Sequence, residues 1–577
     1  MTRSDVLILG TGLGGTLLGA CLASRGVKVT MLDAGVHPRF AIGEATTPDT
    51  SFRLKLLARK YDVPEIADLG AFYALRDAIG PSSGIKRAFS FVYHQPGHPV
   101  DLHQAHQYPT FAPPLGPDCH LFRQDSDAWM VTVAMRHGAK VHQSTRATDI
   151  RFDEDGVTVQ THTGEQHRAR FLVDAAGFGS PLMRQLGLQQ DPLTLQTDSR
   201  SLFTHMIGVP SFDGLVGDVN AAGIPYPLCQ STLHHVFPGG WMWVIPFDNH
   251  PDAVNPLCSV GLMLDRSVYP ETGKPAEEEF REIIARFPDM ARHFEGAAAV
   301  RPWVSTGRIQ QRASQVVGDR WALMAHAAGF VDPLYSSGLN LTAGVVDQLT
   351  SLLVAACADG DFRRARFEPI EAFFFRNLDL YDRVVANSYR SFHHFGLWDA
   401  WYRVWVIGLL IGTGVNGNLY MRHEAGLEPD LKATEREPAT GLLGSQVPEC
   451  RAMLEEAFAL FDTLQPDGAN ADAIADRLRA LLAASPCTPD YWQWGDKAVR
   501  STPAFTVGGL LRLRWWFLRN APPALAQRIF AWKVSVALRY LTREVLRQRR
   551  KARSRSRRYL RDALRSWNSD WRSTSTG

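Results

Sequence analysis

A lysine in an apolar frame, Gly84-Ile-Lys86-Arg-Ala-Phe-Ser-Phe-Val-Tyr93, and a tryptophan pair, Trp241-Met-Trp243-Val-Ile245-Pro246, carry the residues best suited to chemistry. A primary amine donates hydrogen bonds while protonated and becomes a nucleophile once burial lowers its pKa. Two indoles at i and i+2 of a strand share one face and can wall off a compartment. Each also has a plainer reading: a surface lysine on a strand, and tryptophans that only fill a core.

Both sit in a chain that opens like a nucleotide-binding unit. Asp5-Val-Leu-Ile-Leu-Gly10-Thr-Gly12-Leu-Gly14-Gly15 leads into an Ala/Leu-rich stretch to Arg25, and Val27-Lys-Val-Thr-Met-Leu-Asp33 follows. The pattern predicts strand, Gly-x-Gly-x-x-Gly turn, helix and second strand with an acidic end. Gly10 suits the tight turn, Gly12 the backbone approach to a pyrophosphate, and Gly15 helix–strand packing. Asp33 is placed to accept from ribose hydroxyls.

These elements need positioning partners. A loop at Pro38–Pro48 leads into a helix from about Ser51 to Arg59, and weakly alternating residues from about Phe72 to Phe111 read as strands of a second sheet carrying Lys86. A helix spans Asp125–Gly138. Ala169-Arg-Phe-Leu-Val-Asp174 is a buried strand returning to the nucleotide fold. From Leu202 to Asp265 the chain reads as antiparallel strands, with His234–Gly240 as a turn, Trp241–Phe247 as a strand and Ser259–Asp265 as its partner. Gly318–Thr342 again enters the nucleotide fold and starts a helix. After Asp359 the pattern is helical, with breaks near Gly412–Asn418 and Gln465–Asn470. The fold class is therefore α/β: a Rossmann-like domain, an antiparallel substrate domain and a helical C-terminal region. A core at 1–360 comprises nucleotide segments at about 1–70, 120–185 and 300–360 with a substrate sheet at about 71–119 and 190–299; a helical region follows at 361–577.

At 577 residues, with 45% apolar and 21% charged, the chain has ordinary globular composition. Cysteines 21, 119, 229, 258, 357, 450 and 487 form no Cys-x-x-Cys pair, which argues against a disulfide framework or zinc site and suits a reducing, cytoplasmic compartment. A strand beginning by Asp5 leaves no room for a leader peptide. Val404-Trp-Val-Ile-Gly-Leu-Leu-Ile411, flanked by Arg403, falls short of the roughly 18 residues of a membrane span. Residues 543–572 form a basic tail suited to an acidic protein or anionic lipid, or simply solvated. No nucleic-acid-binding module accompanies it.

The opening glycines, Arg123 with Asp127, and Gly318-Asp319 through Gly338 recur in this order in flavoproteins similar to aromatic hydroxylases. Within that group the chain resembles the flavin-dependent halogenases. The marks are Trp241-Met-Trp-Val-Ile-Pro246, matching their W-x-W-x-I-P motif; Gly43-Glu44 with Pro48; Lys86 at the place of their catalytic lysine; and Asp332-Pro333-Leu-Tyr335-Ser-Ser337-Gly338. The resemblance covers roughly residues 1–400.

It implies FAD, reduced by a separate flavin reductase and reacting with O2, so that chloride or bromide becomes hypohalous acid. It implies that Gly10, Gly12, Gly14, Gly15, Asp33, Gly43, Glu44, Arg123, Asp332, Pro333, Gly338 and Leu339 hold FAD, and that Ser337 and the Gly338 amide hold halide. Trp241, Trp243, Ile245 and Pro246 would wall a tunnel, Lys86 would guide the oxidant and Tyr335 would face the substrate. Halogenases of free tryptophan carry glutamate where this chain has Tyr335, which favours a phenol, pyrrole or other activated ring, free or on an acyl carrier protein. Ala325-His326 stands where relatives have Gly-Asp, so His326, Asp319 or Asp332 takes over that contact. Competing readings are an aromatic monooxygenase, an isoprenoid reductase and a non-catalytic flavoprotein docked by its tail.

Overall fold

The computed structural model describes residues 2–549 apart from 114, 429–430, 432–440, 504 and 548, so the basic tail beyond 549 lies outside the described residues. Thr2–Leu9 is the central strand of a parallel sheet, flanked by Val29–Leu32 on one side and Gln166–Asp174 on the other. Lys140–His142 and Trp321–Leu323 extend the run at either side. Val6, Leu7 and Ile8 are wholly buried, as strands covered on both faces require. The helix Leu13–Ser24 seats directly on the first turn: a Cβ at Gly15 would lie 2.2 Å from the Gly10 carbonyl oxygen, and Gly10 itself has φ +94°.

The second sheet runs in the order 298–299, Ser199–Ile207, Cys258–Asp265, Gly240–Pro246, Ser231–Phe237, Ala88–Tyr93, Ala105–Pro109. Its neighbours are antiparallel except Ser231–Phe237 against Ala88–Tyr93. Strand alternation sorts the central strand: Trp241, Trp243 and Ile245 join the core shared with the nucleotide domain, while Met242 and Val244 join a separate core behind the sheet.

Three expectations are corrected. His234–Phe237 belongs to a strand, and only Pro238-Gly239 turns the chain; the histidines are accommodated because each finds a hydrogen-bond partner, His234 on the Ser90 carbonyl and His235 on His94. Phe72–Ala78 is helical, and Lys86 lies on a short ladder of Gly84–Lys86 with Asp118–His120, outside the large sheet. The chain does not break at Gly412–Asn418: Phe395–Glu424 is one helix. Its glycines serve close packing, since a Cβ at Gly414 would fall 2.4 Å from Ile529 and one at Gly417 3.2 Å from Phe52. By length and composition this helix and Gly338–Asp359 could each cross a membrane, yet 89% and 56% of their apolar windows are buried in the fold. Arg403, read as a polar flank, is interior and bonds Asp399 and the carbonyls of Trp494, Asp496 and Val499.

The helices after residue 360 share the nucleotide domain's core, which extends from Val6 to Phe530. They therefore close the back of the molecule instead of forming a detached unit. The wall strand is held tightly: Gly261 pairs with Trp243, and a Cβ there would sit 2.1 Å from the indole. Gly261→Ala should cost roughly 1–3 kcal/mol through overpacking. Thermal denaturation checks this; an unchanged Tm would contradict the packing described.

Candidate active site and flavin cavity

A cavity of about 1160 Å³ lies between the carboxyl ends of the parallel strands and the inner face of the second sheet. That exceeds the ~300–1,000 Å³ typical of a small-molecule pocket, as an extended dinucleotide requires. Gly10, Gly12, Gly14, Asp33, Gly43, Glu44, Arg123, Asp332, Pro333, Gly338 and Leu339 all line it. Gly12 is open to close backbone approach, with nothing within 4 Å of a Cβ position, and stands at the N-terminus of Leu13–Ser24 where the helix end favours phosphate charge. These features fit FAD. Gly15 is the exception among the glycines, packing under the turn away from the cavity.

Asp33 is more engaged than its spacing suggests. Thr11 donates its amide and hydroxyl to Oδ2 at 2.7 and 2.6 Å, Gly35 donates to Oδ1 at 2.8 Å, and Arg39 pairs with both oxygens. Burial pushes the carboxyl up, but these donors prevail and hold it down at about 2. A ribose hydroxyl must share this carboxylate with Arg39. Arg123 bonds Asp127 at 2.7 and 2.8 Å and the Ile42 carbonyl at 2.6 Å, which fixes the Gly43-Glu44 loop against the cavity.

At the other end, Ser337 occupies the position before the Gly338–Asp359 helix, its hydroxyl not used as a cap, so Gly338 begins a helix whose end faces the cavity. Asp332 accepts from the Tyr389 hydroxyl at 2.9 Å, the Leu334 amide at 3.0 Å and the Ser199 hydroxyl at 3.1 Å, while burial raises its pKa to about 7. His326 lines the same region with Nδ1 3.4 Å from Thr342 Oγ1; burial, then nearby Arg123, lower its pKa to about 4. Asp319 is not brought to the site: it accepts the Arg364 amide at 2.7 Å and lines a separate surface cleft.

The indoles of Trp241 and Trp243 stand with centroids 5.9 Å apart and line the cavity with Ile245; Trp243 Nε1 donates to Ser259 at 3.1 Å. Pro246 ends the strand outside the cavity, its carbonyl against Gly84. Tyr335 is also off the cavity, donating or accepting at Ser388 Oγ (2.7 Å) and stacked on Trp405 at 4.4 Å within a buried aromatic layer.

Lys86 is 0% exposed. Its Nζ donates to the Thr46 carbonyl at 2.7 Å and lies 3.4 Å from the centroid of the Phe89 ring. Asp118 faces it across the two-stranded ladder; Ser51 donates to Asp118 Oδ1 at 2.9 Å, and Oδ2 has no hydrogen-bond partner among the described residues. Burial pulls the amine down to about 7 against the upward pull of Asp118, and burial raises Asp118 against the opposing pull of Lys86.

The neighbours of Lys86 place it in a partition. Ala45 lines the flavin cavity and Pro48 lines a second, apolar pocket of about 100 Å³; Thr46, whose carbonyl accepts the lysine's hydrogen bond, lies between them in the chain. Likewise Phe89 stacks towards His234 of the flavin cavity on one side and meets Tyr108 of the apolar pocket on the other. Lys86 itself lines neither space. Sequence patterns reveal the lysine and the tryptophans but not Thr46, Phe89, Asp118 or His234. Phe89 is local to the lysine, but Asp118 and His234 are brought in by the short ladder and the parallel pairing of Ser231–Phe237, long-range contacts with no local signature.

A family model described as tryptophan halogenase matches residues 103–379. Monodechloroaminopyrrolnitrin halogenase PrnC of Pseudomonas fluorescens is 38% identical over 541 residues, 92% of this chain and 95% of that protein. Tetracycline 7-halogenase of Kitasatospora aureofaciens is 43% identical over 442 residues, 76% and 79% respectively. The crystal structure of halogenase PltM with phloroglucinol and FAD superposes with a TM-score of 0.82 at 34% identity, covering 86% of this chain and 99% of that one. With a glycine-cradled cavity of dinucleotide size and this similarity along most of its length, the chain belongs to the flavin-dependent halogenases, enzymes using reduced FAD, halide and O2.

Proposed function

We propose that Lys86 directs hypohalous acid, generated in the flavin cavity, onto an electron-rich aromatic ring held beyond the partition. The observation that carries this reading is the burial of a lone amine between two cavities. When bound, the reduced cofactor would supply two electrons to O2, so that one oxygen atom oxidises halide to hypohalous acid and the other leaves as water. Ser337 and the Gly338 amide hold the halide at the helix end, where the dipole favours an anion. Trp241, Trp243 and Ile245 keep the substrate ring out of the oxidising compartment.

The protonated amine donates to the oxygen of hypohalous acid. As the carbon–halogen bond forms and the oxygen–halogen bond breaks, the amine's proton passes to the leaving hydroxide and makes water. The ring carbon then loses its proton to the unpartnered oxygen of Asp118, from which the lysine is reprotonated. An amine poised near neutrality gives up a proton more readily than one of ordinary pKa near 10.4.

A separate flavin reductase supplies the reduced cofactor, and the setting proposed is cytoplasmic biosynthesis of a halogenated natural product. Relatives include a monodechloroaminopyrrolnitrin halogenase, a tetracycline 7-halogenase, and a chlorinase of carrier-bound pyrrole from Pseudomonas fluorescens that is 25% identical over 431 residues. Contact of the basic tail with an acidic carrier or membrane belongs to the same proposal.

Lys86→Ala should lower halogenated product at least ~100-fold, the usual worth of a positioned acid, while FAD binding and O2 consumption persist. Product mass spectrometry alongside an oxygen electrode tests it, and undiminished halogenation would refute the role. A second expectation concerns pH. If the ammonium is the working form, turnover falls as pH rises through neutrality. Because the Asp118 carboxylate holds the amine's pKa up, Asp118→Asn should move that limb to lower pH; a limb that stays in place would show that Asp118 does not act on the lysine.

A further inference from the structure

The helix Val507–Asn520 is apolar on two opposite faces. Leu513, Trp516 and Phe517 are buried in the C-terminal packing. Leu511, Trp515 and Leu518, at i, i+4 and i+7, share the other face and stand 37%, 57% and 47% exposed. Packing by one face calls for polar residues on the other, so the second stripe is not there to hold the fold together. Of the fourteen large apolar side chains exposed among the described residues, five lie within 507–549, the remaining two of these being Leu538 and Leu546. Leu511 and Leu538 line the same apolar pocket, so the exposed residues form one patch across two helical segments and are not scattered singly.

The charge around this patch has one sign. Residues 507–549 carry nine Lys/Arg against a single acid, Glu544, which Arg547 engages at 2.6 Å. At the helical turn of about 100° per residue, Arg512 and Arg519 border the stripe on one side and Arg514 on the other. The Arg519 guanidinium lies 4.8 Å from the Trp515 ring, and that of Arg514 lies 5.2 Å from Trp532. Leucines and a tryptophan in line, with long cations at both edges, are what a helix needs to lie in the plane of an anionic bilayer. The leucines enter the acyl boundary, the indole stays at headgroup level and the guanidiniums reach the phosphates. An acidic protein would answer the arginines, but only one with a groove shaped for the stripe would also cover the leucines and the indole.

We infer that the face built by Val507–Asn520 and the helical turns at 534–547 docks on a membrane surface bearing anionic lipids. This deepens the membrane contact proposed above for the tail, but it rests on the described face and on nothing beyond residue 549. Docking lays Leu511 and Leu538 against the acyl boundary, and the apolar pocket that they line then opens towards lipid. None of the residues that touch the bilayer belongs to the flavin cavity or to the partition around Lys86.

The test mixes the full-length, FAD-loaded protein with vesicles of phosphatidylcholine alone or of phosphatidylcholine with phosphatidylglycerol, and follows flotation. Wild type should bind the anionic vesicles at least ~10-fold more tightly than the neutral ones, and less tightly as salt rises. Trp515→Ser with Leu518→Ser, and separately Arg512→Gln with Arg519→Gln, should each weaken binding at least ~10-fold, with Tm and FAD content as in wild type. Hydroxyl-radical footprinting of wild type needs no variant: anionic vesicles should shield Trp515 from oxidation. An unshielded Trp515, or equal binding to both vesicle types, would overturn the inference. If both pairs of variants bind as wild type does, the tail makes the contact and only the face assignment falls; no flotation at all refutes the tail contact as well. A dimer dissolved by the Trp515/Leu518 pair, or capture of an acidic carrier protein, either one without vesicle binding, would give the face to a protein and overturn the inference too.

Discussion

Burying an amine without an adjacent full ion pair is the constraint on which this structure turns. In water Lys86 would be an ordinary cation; inside the partition its charge is opposed by desolvation and supported by the Thr46 carbonyl, the face of Phe89 and the field of Asp118 and Cys119. Such a group holds its proton weakly. That property is what a site needs if it must give a proton to hypohalous acid at neutral pH.

The architecture follows from keeping this amine dry while leaving it between two spaces. Parallel strands end at the flavin cavity, and the antiparallel sheet supplies its opposite wall through the odd-numbered residues of Gly240–Pro246. The Phe395–Glu424 helix, with Trp398, Tyr402 and Trp405 against Phe91, closes the far side. A ring of indoles, phenols and imidazoles thus replaces water around the partition. Glycines at 412, 414 and 417 let this helix approach its neighbours, so a sequence that looks like a break becomes a close-packed part of one continuous helix.

Much of this is legible in the sequence. The Gly10–Gly15 turn, the wall strand and the lysine stand out because each obeys a local rule of spacing or periodicity. What was not legible depends on distant pairing. Asp118 lies 32 positions from Lys86 in the chain and becomes its neighbour only through a three-residue ladder too short to show a pattern. The His234–Gly240 segment misled because Pro-Gly-Gly marks a turn but not where the flanking strand begins. Asp33 fitted its expected place, yet Arg39 engages its carboxylate, an interaction no spacing rule foretells.

The most direct test of the central claim is to titrate the lysines of the folded enzyme by NMR after labelling at Cε. The account predicts one resonance titrating near neutrality that is absent in Lys86→Arg. A wild-type spectrum in which every lysine titrates near pH 10 would contradict it.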